Sequence, residues 1–236
     1  MEKSLTDMVE SELLEMVDED YKEGVQNYFN NEIENYGVRT GEVRKLARKY
    51  YGEVKDLPKD EIFNICEELL DTGISEYRTI AFQWAHRLKS EYEREDFVRF
   101  ESWVEKYVHN WGACDDLCTH ALGELVYQYP KLTENLEHWC VSDNLWKRRG
   151  AAVTMIYSIR NREVLEEVFE IADLLFSDDE DMVQKGYGWM LKEASKKSPE
   201  EVFEYVLSNK ADMPRTALRY AVEKLPEDWR TRAMEK

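Results

Sequence analysis

Apolar residues recur at intervals of three and four along most of the chain, the spacing that places them on one face of a helix. Val43, Leu46, Ala47 and Tyr50 form such a stripe between Glu42 and Tyr51. Ile62, Ile65, Cys66 and Leu69 repeat it between Glu61 and Leu70, and Tyr77, Ile80, Ala81, Trp84 and Leu88 repeat it after Glu76. The same periodicity predicts further helices beginning near Glu95, Ala113, Asn135, Leu145, Arg162, Asp181, Pro199 and Pro214. No stretch alternates with the two-residue period of a strand. Pro58, Pro130, Pro199, Pro214 and Pro226 fall near predicted helix ends, where proline is tolerated. Asp71-Thr72-Gly73 and Ser142-Asp143-Asn144 read as turns or caps.

Helix pairs return roughly every 35 to 45 residues, the rhythm of a HEAT-like array. The pattern predicts an all-α fold, an α-α superhelix (solenoid) of HEAT-like repeats with a concave binding face, spanning residues 1–236 as a single domain. In several pairs the second helix opens with a base beside small or apolar residues. Arg44 and Lys45 precede Leu46-Ala47, and Arg78 precedes Ile80-Ala81. Arg148 and Arg149 precede Gly150-Ala151-Ala152, Lys185 precedes Gly186, and Arg215 precedes Ala217-Leu218. On the inner wall of an array these bases would form a positive stripe. The alternative is that each base caps a neighbouring turn or pairs with a surface acid.

That stripe matters because the chain is strongly acidic, with a formal charge of −18 and a pI near 4.7. Alone, this balance argues against nucleic acid, which requires a basic footprint. A local stripe would reconcile the two, since binding depends on where charge sits rather than on its sum. The acids gather elsewhere in the sequence, at Glu10 to Glu23, Glu163 to Glu170 and Asp178 to Asp181. Seven tryptophans and fourteen tyrosines are many for a polar chain and point to a ligand-facing surface as well as a core. Cys66, Cys114, Cys118 and Cys140 follow no disulfide-scaffold spacing, and no apolar run reaches membrane-spanning length. A cytoplasmic monomer is the expectation, nucleoid-associated if prokaryotic, without a membrane partner.

Three segments hold more chemistry than packing requires. In Asn110-Trp111-Gly112-Ala113-Cys114-Asp115-Asp116, Trp111 and Asp115 are four apart and share a helical face. A carboxylate beside an indole can stabilise a developing cation and orient a water. The alternative is an ordinary first-turn acid. In Leu145-Trp146-Lys147-Arg148-Arg149-Gly150, two arginines suit phosphate clamping, or else form a solvated basic turn. In Gln184-Lys185-Gly186-Tyr187-Gly188-Trp189-Met190-Leu191-Lys192-Glu193, two glycines inside a helical pattern cost roughly 1 kcal/mol each relative to alanine. They imply a close approach, either to a ligand or to another helix. His109, Cys114, Cys118 and His120 lack the paired spacing of a zinc site, so no metal is expected.

In order along the chain, five elements resemble the AlkD-type family of DNA alkylation-repair glycosylases, which are built from HEAT-like repeats. They are Tyr36-Gly37-Val38 leading to Val43-Arg44-Lys45, Trp111 with Asp115, Trp146 with Arg149 and Ala151-Ala152, Lys185 to Glu193, and Pro214 to Leu218. The likeness runs from about Tyr28 to Leu225. The family's usual Trp-Asp-x-Val-Asp here reads Trp111-Gly112-Ala113-Cys114-Asp115, so the first acid is absent.

The resemblance implies a hydrolase that excises N3- and N7-alkylated purines from double-stranded DNA by breaking the N-glycosidic bond, the opening step of base excision repair. Asp115 would stabilise the oxocarbenium-like sugar and position water, Trp111 and Trp189 would flank the deoxyribose, and Arg149 would hold backbone phosphate. Arg148, Lys185, Arg44, Lys45 and Arg215 would add DNA contacts, and no cofactor would be needed. Two alternatives stay open. The absent first acid fits a catalytically silent DNA-binding member, and the acidic charge fits a HEAT-like protein-interaction scaffold.

Overall fold

The computed structural model describes residues 5–28 and 33–235. The first residues of the charged N-terminal segment, and residues 29–32 near the start of the family likeness, lie outside them. Among the described residues every regular element is helical. None of these helices is long and apolar enough to cross a membrane. The chain divides into two compact units, Met1–Tyr92 and Glu93–Lys236.

The first unit contains α1 (Leu5–Glu15), α2 (Glu19–Tyr28), α3 (Thr40–Val54), α4 (Lys59–Asp71) and α5 (Ser75–Arg87). Helix α5 packs against both α3 and α4, and α1 covers α3. The stripe Val43, Leu46, Ala47 and Tyr50 is buried there, as are Ile62, Cys66, Leu69, Tyr77, Ile80, Ala81, Trp84 and Leu88. The Trp84 indole donates to the Ala47 carbonyl at 2.7 Å, so a ring placed by apolar periodicity also ties α5 to α3. The Tyr36-Gly37-Val38 element is organised by a carboxylate 38 to 40 residues later. Buried Glu76 accepts the backbone N–H groups of Tyr36, Gly37 and Val38 at 3.2, 3.0 and 3.0 Å. Gly37 stands at φ 95°, a left-handed conformation that glycine adopts without penalty.

The second unit contains α6 (Asp96–Tyr107), α7 (Trp111–Cys118), α8 (Ala121–Gln128), α9 (Thr133–Cys140), α10 (Leu145–Asn161), α11 (Leu165–Leu175), α12 (Asp181–Ala194), α13 (Pro199–Asn209), α14 (Arg215–Ala221) and α15 (Glu227–Met234). Its helices form two stacked rows. One row runs α8, α10, α12, α14, each packed on the next, while α9 and α11 pair in the other. Each row can bury its apolar stripe only against its neighbours, which is the physical basis of a helical-repeat array. Helix α10 also touches α6, α7, α9 and α11, and residues Arg149 to Ile156 are buried without interruption. A helix buried around its whole circumference is a core helix rather than an amphipathic one.

Caps set where the site helices begin. The Asn110 carboxamide accepts the Ala113 N–H at 2.9 Å, and that of Asn144 accepts the Trp146 N–H at 2.8 Å. Each satisfies a backbone donor that the helix start leaves unpaired. Asn144 is thus the cap expected at Ser142-Asp143-Asn144.

The two α12 glycines mark close helix–helix approach. A methyl group on Gly188 would lie 2.7 Å from the Tyr220 Cβ and 2.8 Å from the Ala217 carbonyl oxygen of α14. Of the two explanations open at that segment, packing between helices accounts for Gly188. We expect Gly188→Ala to destabilise the protein by about 1–3 kcal/mol through overpacking. By contrast, Gly52→Ala in α3, where a methyl group meets nothing within 4 Å, should stabilise it by about 0.5–1 kcal/mol. Urea unfolding of both variants checks the pair.

Candidate active site

Helices α7, α10 and α12 converge on one buried ion pair. Asp115 follows Trp111 by one turn on α7, and Arg149 lies in the second turn of α10. The Arg149 guanidinium donates through Nε to Asp115 Oδ1 at 3.0 Å and through Nη2 to Oδ2 at 3.0 Å. Its Nη1 donates to the Met182 carbonyl of α12 at 2.6 Å. The fork matches the planar carboxylate, so the two groups fix each other's orientation as well as their charge. Their side chains are 6% and 18% exposed, and the carboxylate is the more accessible of the two.

Glycine makes this junction possible. A methyl group on Gly186 would sit 3.2 Å from the Arg149 Cγ, so α12 approaches α10 at the point where the arginine crosses between them. Gly150, next in sequence, gives the same clearance to the Trp139 ring at 3.3 Å and the Cys118 sulfur at 3.4 Å. The Cys114 thiol donates to the Trp146 carbonyl at 3.6 Å, adding a further tie between α7 and α10. Burial raises its pKa well above the thiol range, so it remains neutral beside the ion pair. Cys114 and Cys118 are therefore packing residues here. Among the described residues no group of three or more metal-ligating side chains comes together.

The electrostatics of the pair are asymmetric. Burial pushes the Asp115 pKa upward and Asp116 adds to it; Arg149 opposes both, and the net shift is upward. Burial disfavours the Arg149 charge, but the Asp115 carboxylate outweighs it and holds the guanidinium pKa above its ordinary value. The folded protein therefore binds the Asp115 proton more tightly than the unfolded chain does. Ionising Asp115 costs folding free energy as pH rises through the window between the ordinary and the raised value.

Trp189 lies about one helical turn beyond Gly186 on α12. Its indole N–H donates to Glu193 Oε1 at 3.2 Å. Trp111, Asp115, Arg149 and Trp189 thus all belong to the elements that form the junction.

Several predicted DNA-contacting bases are committed elsewhere. Arg148 donates to Asp178 at 2.5 Å and to the Ser142 carbonyl at 2.8 Å. Lys185 pairs with Asp181 at 2.6 Å, one turn earlier on α12. Arg215 donates to the Met234 carbonyl at 3.3 Å. Arg44 and Lys45 are exposed on α3 in the first unit, where Lys45 pairs with Glu42 at 2.7 Å. The acids at Asp178 and Asp181 therefore fold onto the bases opening α10 and α12, so charge is not segregated there as the sequence predicts. With 50 acids to 32 bases, carboxylates are plentiful partners for such cations. Sequence reasoning passed over the Met182 carbonyl, whose role is purely backbone. It also passed over Glu193, for which the i,i+4 spacing from Trp189 was the available signal.

A helical-repeat protein with a semi-buried carboxylate locked by an arginine fork is the class that this fold and site define. The family model described as "DNA alkylation repair enzyme" matches residues 9–225. The chain belongs to the DNA alkylation repair enzyme family. A solved structure described as a predicted DNA alkylation repair enzyme from Enterococcus faecalis is similar in fold, with a TM-score of 0.79 at 19% identity. The match covers 90% of this chain and 98% of that one. No curated protein sequence matches.

The pair yields a stability prediction. Replacing Arg149 with Met leaves Asp115 buried without its counter-charge, which should cost about 3–5 kcal/mol at neutral pH, nearer the low end because the carboxylate is partly exposed. The loss should shrink in mildly acidic buffer, where Asp115 takes up a proton. Asp115→Asn in the same background should restore part of it. Urea unfolding of the three proteins at both pH values measures the effect.

Proposed function

We propose that the protein is a DNA glycosylase that hydrolyses the N-glycosidic bond of N3- and N7-alkylated purines in duplex DNA. Family membership supplies the repair context. The observation that carries the chemistry is the Asp115 carboxylate, held at both oxygens by the Arg149 fork and still 18% exposed.

An alkylated purine already bears a positive charge. When its bond to C1′ breaks, the bonding pair goes to the base, which leaves neutral, and the sugar acquires oxocarbenium character. An anion fixed in a poorly solvated site stabilises that cation more than a mobile carboxylate in water would. Water then forms the new bond to C1′ and gives its proton to the Asp115 carboxylate. Each Asp115 oxygen accepts from Arg149 and retains acceptor capacity for that water. Trp111 and Trp189 would present ring faces to the sugar, where an aromatic quadrupole favours positive charge.

Arg149 takes a role different from the phosphate clamp implied by the resemblance. Its Nε, one Nη1 hydrogen and one Nη2 hydrogen are engaged within the protein, leaving two N–H groups on a nearly buried guanidinium. Its first task in this reading is to orient Asp115 and hold it ionised. Phosphate contact falls to those two remaining donors and to the more exposed bases: Lys185, Arg44, Lys45 and Arg215.

Release of 7-methylguanine or 3-methyladenine from methylated duplex tests the proposal. Asp115→Asn should slow single-turnover release by about 100- to 1000-fold, the usual effect of losing one fixed transition-state electrostatic contact, while duplex affinity persists. Equal release by wild type and Asp115→Asn would refute it. Because Asp115 must be ionised, the wild-type rate should fall as pH drops, with a midpoint above the ordinary aspartate value. In Arg149→Met, which loses the pKa-lowering partner, the midpoint should move higher still.

The pairing of Arg148, Lys185 and Lys45 with acids favours one second reading, a HEAT-like scaffold for protein partners. Salt separates the two. A DNA binder should lose affinity steeply and log-linearly as salt rises, through counterion release. A protein with no measurable duplex affinity even at low salt would favour the scaffold.

A further inference from the structure

Glu193 is a buried carboxylate that the hydrolytic reading leaves without a task. It lies on α12, four residues after Trp189, with its side chain 7% exposed. Three donors reach it. The Trp189 indole N–H and the Lys196 ammonium both donate to Oε1, at 3.2 and 2.7 Å. The Arg160 Nε donates to Oε2 at 3.2 Å. Burial pushes the Glu193 pKa up, but Lys196, Arg160 and the indole together outweigh it and hold the value below the ordinary glutamate range. A buried carboxylate with this set of donors stays ionised, and so stays a strong acceptor for the indole.

The geometry bears on ring orientation. A tryptophan side chain has two torsions, and an anchored N–H at the ring edge restricts both while leaving the faces open for contact. The anchor is itself held from α10, because Arg160 belongs to that helix. Arg149, about three turns earlier on α10, holds Asp115. One helix therefore fixes the carboxylate through a basic residue near its start and the indole through a basic residue near its end. Gly188 adds the backbone half of the arrangement, pressing α12 onto α14 beside Trp189.

We propose that Glu193 is a positioning residue that sets the plane of the Trp189 indole against the substrate sugar. The proposal rests on the reading of Trp189 as part of the sugar-facing wall. Because Arg160 anchors the carboxylate from α10, the indole N–H is held at a fixed point rather than by a mobile side chain. Removing Glu193 should therefore leave Trp189 in place on α12 but loose in rotation, so that bond breaking slows more than DNA binding weakens.

A double-mutant cycle tests this, with single-turnover excision from methylated duplex as the readout. Glu193→Leu should slow excision about tenfold with duplex affinity little changed, and Glu193→Gln, which keeps an acceptor oxygen, should recover part of that loss. In a Trp189→Phe background, which lacks the indole N–H, Glu193→Leu should cause no further loss. Losses that multiply, or Glu193→Leu excising at the wild-type rate, would overturn the assignment. Arg160→Met, which cuts the α10 tie without touching the indole, separates positioning from cross-linking: if it slows excision about tenfold in the Trp189→Phe background as well as in the wild type, the cross-link alone suffices and the proposal fails.

An activity-independent measurement keeps this outcome distinct from failure of the glycosylase reading. The Trp189 indole resonance, assigned by its absence in Trp189→Phe, should shift in both Glu193 variants, more in Glu193→Leu. No shift in either means no tether, and the proposal is wrong whatever the enzyme's activity. A shift together with a wild-type protein that releases no base refutes the glycosylase reading, and with it the catalytic consequence assigned to Glu193.

Discussion

The structure of the second unit turns on a charge that is difficult to bury. A carboxylate removed from water is strongly disfavoured unless a counter-charge and hydrogen bonds replace its hydration. Arg149 meets that requirement for Asp115 in the one arrangement that satisfies both oxygens, and the Met182 carbonyl satisfies a third guanidinium donor. The consequences spread outward. Helix α7 must end its first turn against α10, α12 must bring a backbone carbonyl to the arginine, and residue 186 must be small enough to let it pass. The same compromise leaves Asp115 with a raised pKa and partial exposure, a stored electrostatic cost that the folded protein supports through packing elsewhere.

Helix α10 is the element through which these demands are reconciled. It is enclosed by helices on most sides, and its buried run from Arg149 to Ile156 includes small residues at Gly150, Ala151 and Ala152. Such a helix has little freedom to shift, so charged groups fixed to it inherit its rigidity. Arg149 and Arg160 exploit this at two levels of the helix, one holding a carboxylate on α7 and the other a carboxylate on α12. The hydrolysis we propose would draw on that rigidity, since fixed dipoles and charges need no reorganisation when charge develops in a transition state.

Charge distribution has a corresponding lesson. At the starts of α10 and α12 a chain of −18 interleaves the two signs rather than separating them. Ion pairs such as Lys185 with Asp181 are partly exposed, where screening keeps their worth small. A phosphate can compete for such a lysine. Arg148 is more firmly committed, because it meets Asp178 and two loop carbonyls at once. The net charge of the chain therefore says less about ligand binding than does the depth at which each pair sits.

Most local features were written in the linear pattern. The stripes of α3, α4 and α5, the starts of α10 and α12, the Asn144 cap and the cost of Gly186 and Gly188 all follow from rules that act within a few residues. Trp111 and Asp115 were legible together because one helical turn joins them, and so in principle were Trp189 and Glu193. The separate start of α8 escaped, since only Thr119 and His120 divide it from α7 and neither is a helix breaker. What no local rule supplies is the identity of partners across the fold. Arg149 is separated from Asp115 by 34 residues and Tyr36 from Glu76 by 40, and each pairing exists only because packed helices bring those positions together. The chain alone established the helices and the types of residue present. Three-dimensional packing chose which charge meets which, because contact energies between distant residues depend on where the apolar faces force the helices to lie.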